Sequence, residues 1–150
     1  MKWANHKLVS VMRDNAIPFL TEQELRSPLL KIIMTLRKVH KVGFLLNNIS
    51  PSNILFAKKS QSYKVKLCGL SKCTPIDLAH QVQSPPITLF SAPEIIMEGS
   101  FSVASDIWSL GATIYTLANG RLPFEDTTGI LTKELDWNNR YGVQFNPDFV

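Results

Sequence analysis

Ile107, Trp108, Leu110, Ala112, Ile114, Tyr115 and Leu117 spread over nearly the whole circumference of a helix expected from Asp106 to Asn119. A helix that is apolar on almost every side is stable in water only when other elements surround it. Whatever this chain folds into must therefore be assembled around that segment. Ser105 is expected to cap the helix, with Asp106 in its first turn, where a carboxylate suits the helix dipole. Gly120 ends it, and Arg121-Leu122-Pro123-Phe124 turns the chain away.

The elements available to cover that helix lie upstream. Residues 7–20 read as a short helix and a loop, and Thr21-Glu22-Gln23-Glu24 has the form of a capping box. Pro28 would interrupt a helix except in its first turn, so Ser27-Pro28 is expected to restart one. Leu29, Ile32, Ile33, Leu36, Val39 and His40 then recur at helical spacing up to a left-handed cap at Gly43. His40, at the end of that apolar stripe, reads as a helix-terminal packing residue. Ile54-Leu55-Phe56, a polar turn at Lys58–Ser62, and Tyr63 to Cys68 with lysines alternating against Tyr63, Val65 and Leu67 predict a β-hairpin. A long Pro-rich and polar loop runs from Gly69 to about Ser91.

A chain of 150 residues is about one domain. No apolar run approaches the roughly 18 residues of a membrane span. The start offers only a short Leu8–Met12 apolar patch, so a secretory signal is not expected and the location is intracellular, cytoplasmic or nuclear. Asn48-Ile49-Ser50 matches the N-glycosylation pattern, which without a secretory signal is taken as chance. Cys68 and Cys73 cannot make a zinc site alone and do not form a disulfide scaffold; they read as buried or incidental thiols. The net charge of +4 hides an asymmetry: from Leu25 to Ile76 there are ten Lys or Arg and no Asp or Glu. Such a face can attract an acidic partner, although solvated helix and hairpin faces give the same pattern. Apart from Phe44, Phe56 and Tyr63, no aromatic residues interleave with the basic ones, so nucleic acid is not expected as a partner, and neither is a membrane.

Leu46-Asn47-Asn48-Ile49-Ser50-Pro51-Ser52-Asn53-Ile54-Leu55, then Ser91-Ala92-Pro93-Glu94, then Ser105-Asp106-Ile107-Trp108-Ser109-Leu110-Gly111, then Gly120-Arg121-Leu122-Pro123-Phe124, occur in this order. Order and spacing together resemble the C-terminal lobe of a eukaryotic protein kinase, over about residues 7–126. The resemblance implies an α+β, mainly helical partial C-lobe: helix, catalytic-loop-like turn, β-hairpin, long activation-like segment and buried central helix. Residues 1–126 would form that unit and residues 127–150 an extension that matches it weakly.

Position by position, the resemblance implies that the chemistry is missing. Phosphoryl transfer in the family uses one Asp to take the substrate proton and another to hold Mg²⁺. Asn48 stands where the base Asp belongs, and an amide has no useful basicity. Ser50 replaces the Lys that neutralises the transferring phosphate, Asn47 replaces an Arg, and Leu46 replaces a His. Asn53 matches the Mg²⁺-binding Asn, and Leu55 the floor of the adenine pocket. The metal-holding Asp is deleted or replaced by Leu67, while Gly69 remains. Ile87 or Thr88, depending on a one-residue slip, stands for a Thr that contacts the catalytic loop. Glu94 and Asp106 match scaffold residues, the latter one that accepts from catalytic-loop amides. The first glycine is Gly43, so no Gly-rich phosphate loop precedes it, and the chain reads as cut at both ends.

The expectation is a catalytically inactive kinase-like domain acting through protein contacts, with no catalytic residue, no metal and no cofactor. The alternatives are a serine/threonine kinase using ATP and Mg²⁺, represented in part, and an adaptor binding an acidic partner through the 25–76 face. Exposed apolar surface on the central helix would promote association.

Overall fold

The computed structural model describes residues 6–7, 22–59 and 62–136. The short helix and loop expected within 7–20, the Thr21–Glu24 capping box, the tip of the hairpin turn and most of the 127–150 extension lie outside those residues, apart from Lys7, Glu22, Gln23, Glu24 and residues 127–136. Strand β1, His6–Lys7, precedes helix α1, Glu22–Lys41. Ser27-Pro28 does not restart a helix: α1 runs through Pro28 without a break. Proline lacks the amide that would donate to residue 24, but its ring is almost fully buried, and that apolar contact offsets the missing bond. Leu29, Ile32 and Leu36 form the buried face of α1, while Ile33 on the expected stripe is 46% exposed.

Gly43 turns the chain into β2, Phe44–Leu45. A 3₁₀ turn at Pro51–Asn53 leads into β3, Ile54–Lys59, and β4, Ser62–Leu67. These two form the expected antiparallel hairpin, paired from Ile54 opposite Leu67 to Lys59 opposite Ser62. Strand β1 adds to the other edge of β3, with His6 opposite Phe56, in the sheet order β1-β3-β4. The expected long loop is more ordered than its composition suggests. It holds a 3₁₀ turn at Leu70–Lys72, strand β5 at Thr74–Pro75 antiparallel to β2, and a second 3₁₀ segment at Ile76–Gln81.

Helices α2, Pro93–Glu98, α3, Val103–Asn119, and α4, Thr127–Thr132, complete the described fold. The N-cap of the central helix lies three residues before the expected one. Ser102, not Ser105, is the N-cap: its hydroxyl accepts from the Ala104 amide at 3.1 Å, and Ser105 Oγ accepts from the Ser102 amide at 3.0 Å. This reciprocal pair is a capping box built from two serines. Leu110, Leu117 and Ala118 of α3 pack with Leu29, Ile32 and Leu36 of α1 and with Leu46, Ile49 and Ile54 in one core. Leu45, Ala92, Ile95 and Phe101 form a second cluster. One line of α3 stays open, because Ile107 is 53% exposed and Val103 and Gly111 are exposed as well. Beside it Ile33, Leu36, Ile107 and Leu110 line an apolar groove of about 590 Å³ between α1 and α3. No helix of the described residues is long and apolar enough to cross a membrane.

Candidate functional site

Asp106 organises the site. It lies in the first turn of α3 and is 2% exposed. The Leu46 amide donates to its Oδ2 at 2.8 Å and the Asn47 amide to its Oδ1 at 2.9 Å. His40 Nε2 donates to Oδ2 at 2.8 Å. A buried carboxylate is tolerable when its lone pairs are occupied, and here three donors from two distant segments occupy them. His40 is therefore a polar partner of Asp106 and not only a packing residue. Nothing local in the sequence marks that role, since the two residues are 66 positions apart.

The backbone hung on Asp106 places the loop between β2 and β3. Asn47 has φ +57, a left-handed conformation that Asn tolerates better than most residues. From there its side-chain amide donates to the Thr74 hydroxyl at 3.0 Å and the Lys72 carbonyl at 3.3 Å. The Ile76 amide donates to the Gly43 carbonyl at 2.8 Å, so residues 72–76 are fastened to 43–47 along their length. In Asn47→Gly the backbone conformation is preserved and only the side-chain bonds are lost. Combined with Thr74→Val, a double-mutant cycle by chemical denaturation is expected to give about 0.5–1.5 kcal/mol of coupling. Strict additivity would show that this fastening contributes nothing.

Asn48 and Asn53 face the hairpin end of the same loop. Asn53 Nδ2 donates to the Asn48 carbonyl at 3.0 Å and to Ser50 Oγ at 3.3 Å, and Ser50 and Ser52 share a hydrogen bond of 2.8 Å. The Cys68 amide donates to the Asn53 carbonyl at 2.7 Å. Gly69 follows at φ +77 and lies against both amides: a β-carbon there would meet Asn48 Nδ2 at 3.0 Å and Asn53 Oδ1 at 3.2 Å. A side chain at position 69 would therefore press on Asn48 Nδ2 and Asn53 Oδ1. Leu67 is half-buried in β4 and packs on the main core, and Leu55 is buried in β3. Among the described residues no three His, Cys, Asp or Glu side chains converge on one point.

The cleft above this loop has a volume of about 420 Å³ and is lined by Asn48, Ser50, Ser52, Lys72, Thr88 and Leu122 among others. Thr88, not Ile87, faces it; Ile87 is 53% exposed. Thr88 and Ser91 are bonded to each other, through the Thr88 amide to Ser91 Oγ at 2.9 Å. Ser105 Oγ donates to Glu94 Oε1 at 2.7 Å, tying α2 to the start of α3, and Ser109 Oγ donates to the Phe90 carbonyl at 2.8 Å. Trp108 stacks on Phe124 with ring centres 6.4 Å apart. Cys68 and Cys73 are both free and half-buried. Burial, with the Asp106 charge second, pushes the Cys73 thiol up, so little of it is thiolate near neutral pH.

A carboxylate in a helix's first turn that holds two loop amides, next to an Asn-bearing turn and a β-hairpin, is the arrangement the sequence motifs led one to expect. The protein kinase domain family model matches residues 2–146, nearly the whole chain. The chain belongs to the protein kinase family. It is 28% identical over 113 residues to mouse ribosomal protein S6 kinase alpha-4, covering 73% of this chain and 15% of that protein. It is 29% identical over 120 residues to ribosomal protein S6 kinase 2 alpha of Xenopus laevis, covering 78% and 16%. Against the serine/threonine-protein kinase TOS3 of Saccharomyces cerevisiae it is 34% identical over 122 residues, covering 74% and 22%. The chain spans about a sixth of the length of the S6 kinases it matches. The family match extends to residue 146, beyond the Asp126 at which recognisable motifs thin out.

Magnesium-ATP, the family's cofactor pair, does not fit the residues present here. Mg²⁺ prefers hard, usually anionic oxygen ligands. The stretch from Leu25 to Ile76 supplies no carboxylate, and Asp106, the one carboxylate lining the cleft among the described residues, is committed to three donors.

Proposed function

We propose that this chain corresponds to the C-terminal lobe of a kinase domain, transfers no phosphate, and acts inside the cell through protein contacts. One observation supports this above others. Of the two positions that need acids, the one that accepts a proton is filled by Asn48, and the one that holds a metal is deleted or filled by Leu67. Losing a positioned base alone lowers such a rate by about 10²- to 10⁴-fold, and losing the metal ligand compounds it. What is kept is the part that shapes the loop: Asp106 with its amides, Asn53 as a bracket across Asn48 and Ser50, and Glu94 on Ser105. None of those contacts needs a nucleotide. The exposed apolar groove between α1 and α3 and the basic 25–76 face are surfaces of the sort that proteins use to bind one another.

The test is transfer of labelled γ-phosphate from ATP, with Mg²⁺, to generic protein substrates and to the chain itself. Incorporation no greater than that of an Asn53→Ala variant is expected. Incorporation clearly above that variant would establish a serine/threonine kinase in its place, the reading that the retained Asn53, Glu94 and Asp106 favour.

A further inference from the structure

Helices α1 and α3 leave a trough of about 590 Å³ between them. Leu36, 1% exposed, and Leu110, 5% exposed, form its floor, while Ile33 and Ile107, each about half exposed, stand on its two walls. One turn beyond Ile107 the exposed side of α3 continues at Gly111, where an added β-carbon would meet nothing within 4 Å. A glycine in mid-helix weakens the helix and leaves room for another backbone to come close. The rim carries charge of one sign. Arg37 and Lys41 line the groove from α1, one turn apart, and neither side chain has an ion-pair or hydrogen-bond partner among the described residues. His40 lines it too, but its Nε2 is held by Asp106. Among the described residues no carboxylate lines the groove, and the stretch from Leu25 to Ile76 carries ten cations and no anion.

The walls decide which form of ligand fits. Both are helices, whose backbone N–H and C=O groups are bonded internally. An extended segment laid between them would bury its own backbone groups without partners. A helix satisfies its backbone by itself and can set apolar side chains, recurring at helical spacing, into the trough. A flat membrane surface would touch Ile33 and Ile107 but would not reach the buried floor at Leu36 and Leu110. A second copy, groove against groove, would bring the cations of both rims together. We infer that the groove binds an amphipathic helix of a partner protein, its apolar stripe seated between Ile33 and Ile107 and acidic side chains along one edge meeting Arg37 and Lys41. Complementary charge of this sort fixes the orientation of a docked helix and rejects wrong partners. The inference rests on the reading that the chain acts through protein contacts, and it names the place and chemistry of one.

Fluorescence anisotropy on the full chain, at low salt and without nucleotide, tests this. The probes are three labelled pools of peptides of about 20 residues, long enough to hold a helix. Two pools carry Leu, Ile, Met or Phe at random along one helical stripe, with Glu and Gln elsewhere in the acidic pool and Lys and Gln in the basic one. The third pool is acidic but has Ser along the stripe. The acidic amphipathic pool is expected to bind at least about tenfold more tightly than either other pool. The double variant Arg37→Glu with Lys41→Glu should reverse the order of the acidic and basic pools. Lys133→Glu, an exposed cation outside the groove, should leave that order unchanged. Ile107→Gln should weaken both amphipathic pools roughly fivefold. Arg37, Lys41 and Ile107 are all exposed, so these variants should melt near the parent chain. Failure of every pool to bind, equal binding of the acidic and basic pools, or an unreversed order in the double variant overturns the inference. Binding of the Ser-striped pool as tightly as the acidic amphipathic one also overturns it, since charge alone would then explain the contact. Displacement of the acidic pool by anionic phosphatidylserine vesicles, or a dimer in light scattering that the double variant loses, gives the groove to a membrane or a second copy and overturns it as well. The groove shares no lining residue with the cleft, and no ATP is present. Phosphate transfer would therefore overturn the inactive reading, whereas loss of peptide binding would overturn this site alone.

Discussion

Asp106→Ala is expected to cost about 3–5 kcal/mol, a large share of the stability of an ordinary domain. The carboxylate carries little of this as a charge. Its removal leaves the Leu46 and Asn47 amides and His40 Nε2 without their acceptor, in a place where the carboxylate itself is 2% exposed. Each buried donor left unpaired costs about 1–3 kcal/mol, and three are affected at once. Asp106→Asn should fall between, because its amide keeps one acceptor oxygen but turns an N–H₂ toward a donor. Urea denaturation would show the loss as a lower midpoint with unchanged slope. A loss under about 1 kcal/mol would mean that water reaches these amides and that Asp106 does not hold the loop.

Gly69→Ala is expected to be the most damaging of the small substitutions at the site. Left-handed backbone costs a non-glycine residue about 1–2 kcal/mol. Gly43 shares that conformation, at φ +84, with nothing within 4 Å of an added β-carbon, whereas at Gly69 the same carbon meets Asn48 Nδ2 at 3.0 Å and Asn53 at 3.2 Å. Gly43→Ala therefore measures the backbone cost alone, and the excess loss in Gly69→Ala measures how tightly the turn is pressed on the two asparagines. The difference should be about 1–2 kcal/mol, the usual cost of overpacking. Equal losses in the two variants would mean that the Gly69 turn yields readily, and that the space beside Asn53 is open to a ligand after all.

The larger elements were legible because each is periodic over many residues. Helix α1 and the central helix announce themselves by apolar spacing, and the hairpin by lysines alternating with Tyr63, Val65 and Leu67. What was misread turned on competition between equals. Ser102 and Ser105 can each cap a helix, and only the pairing of the two shows which one starts it. Pro28 reads locally as a helix start, but burial of its ring permits the helix to continue. Strands β2 and β5 are two residues each and exist because Leu45 lies opposite Thr74, a pairing no short window contains. The link from His40 to Asp106 is hidden for the same reason. At the site, the missing acids could be read from the chain alone, but the approach of Gly69 to Asn48 and Asn53 could not, since it depends on where the turn after β4 lands.

The account is tested most directly by titrating the chain with ATP and Mg²⁺ while following its thermal melt. A ligand at one hundred times its dissociation constant stabilises by about 2.7 kcal/mol, which for a chain of this size is a rise of roughly 5–10 °C. The account predicts no rise with the pair beyond that with Mg²⁺ alone. A saturable, magnesium-dependent increase that disappears in Asn53→Ala would contradict it.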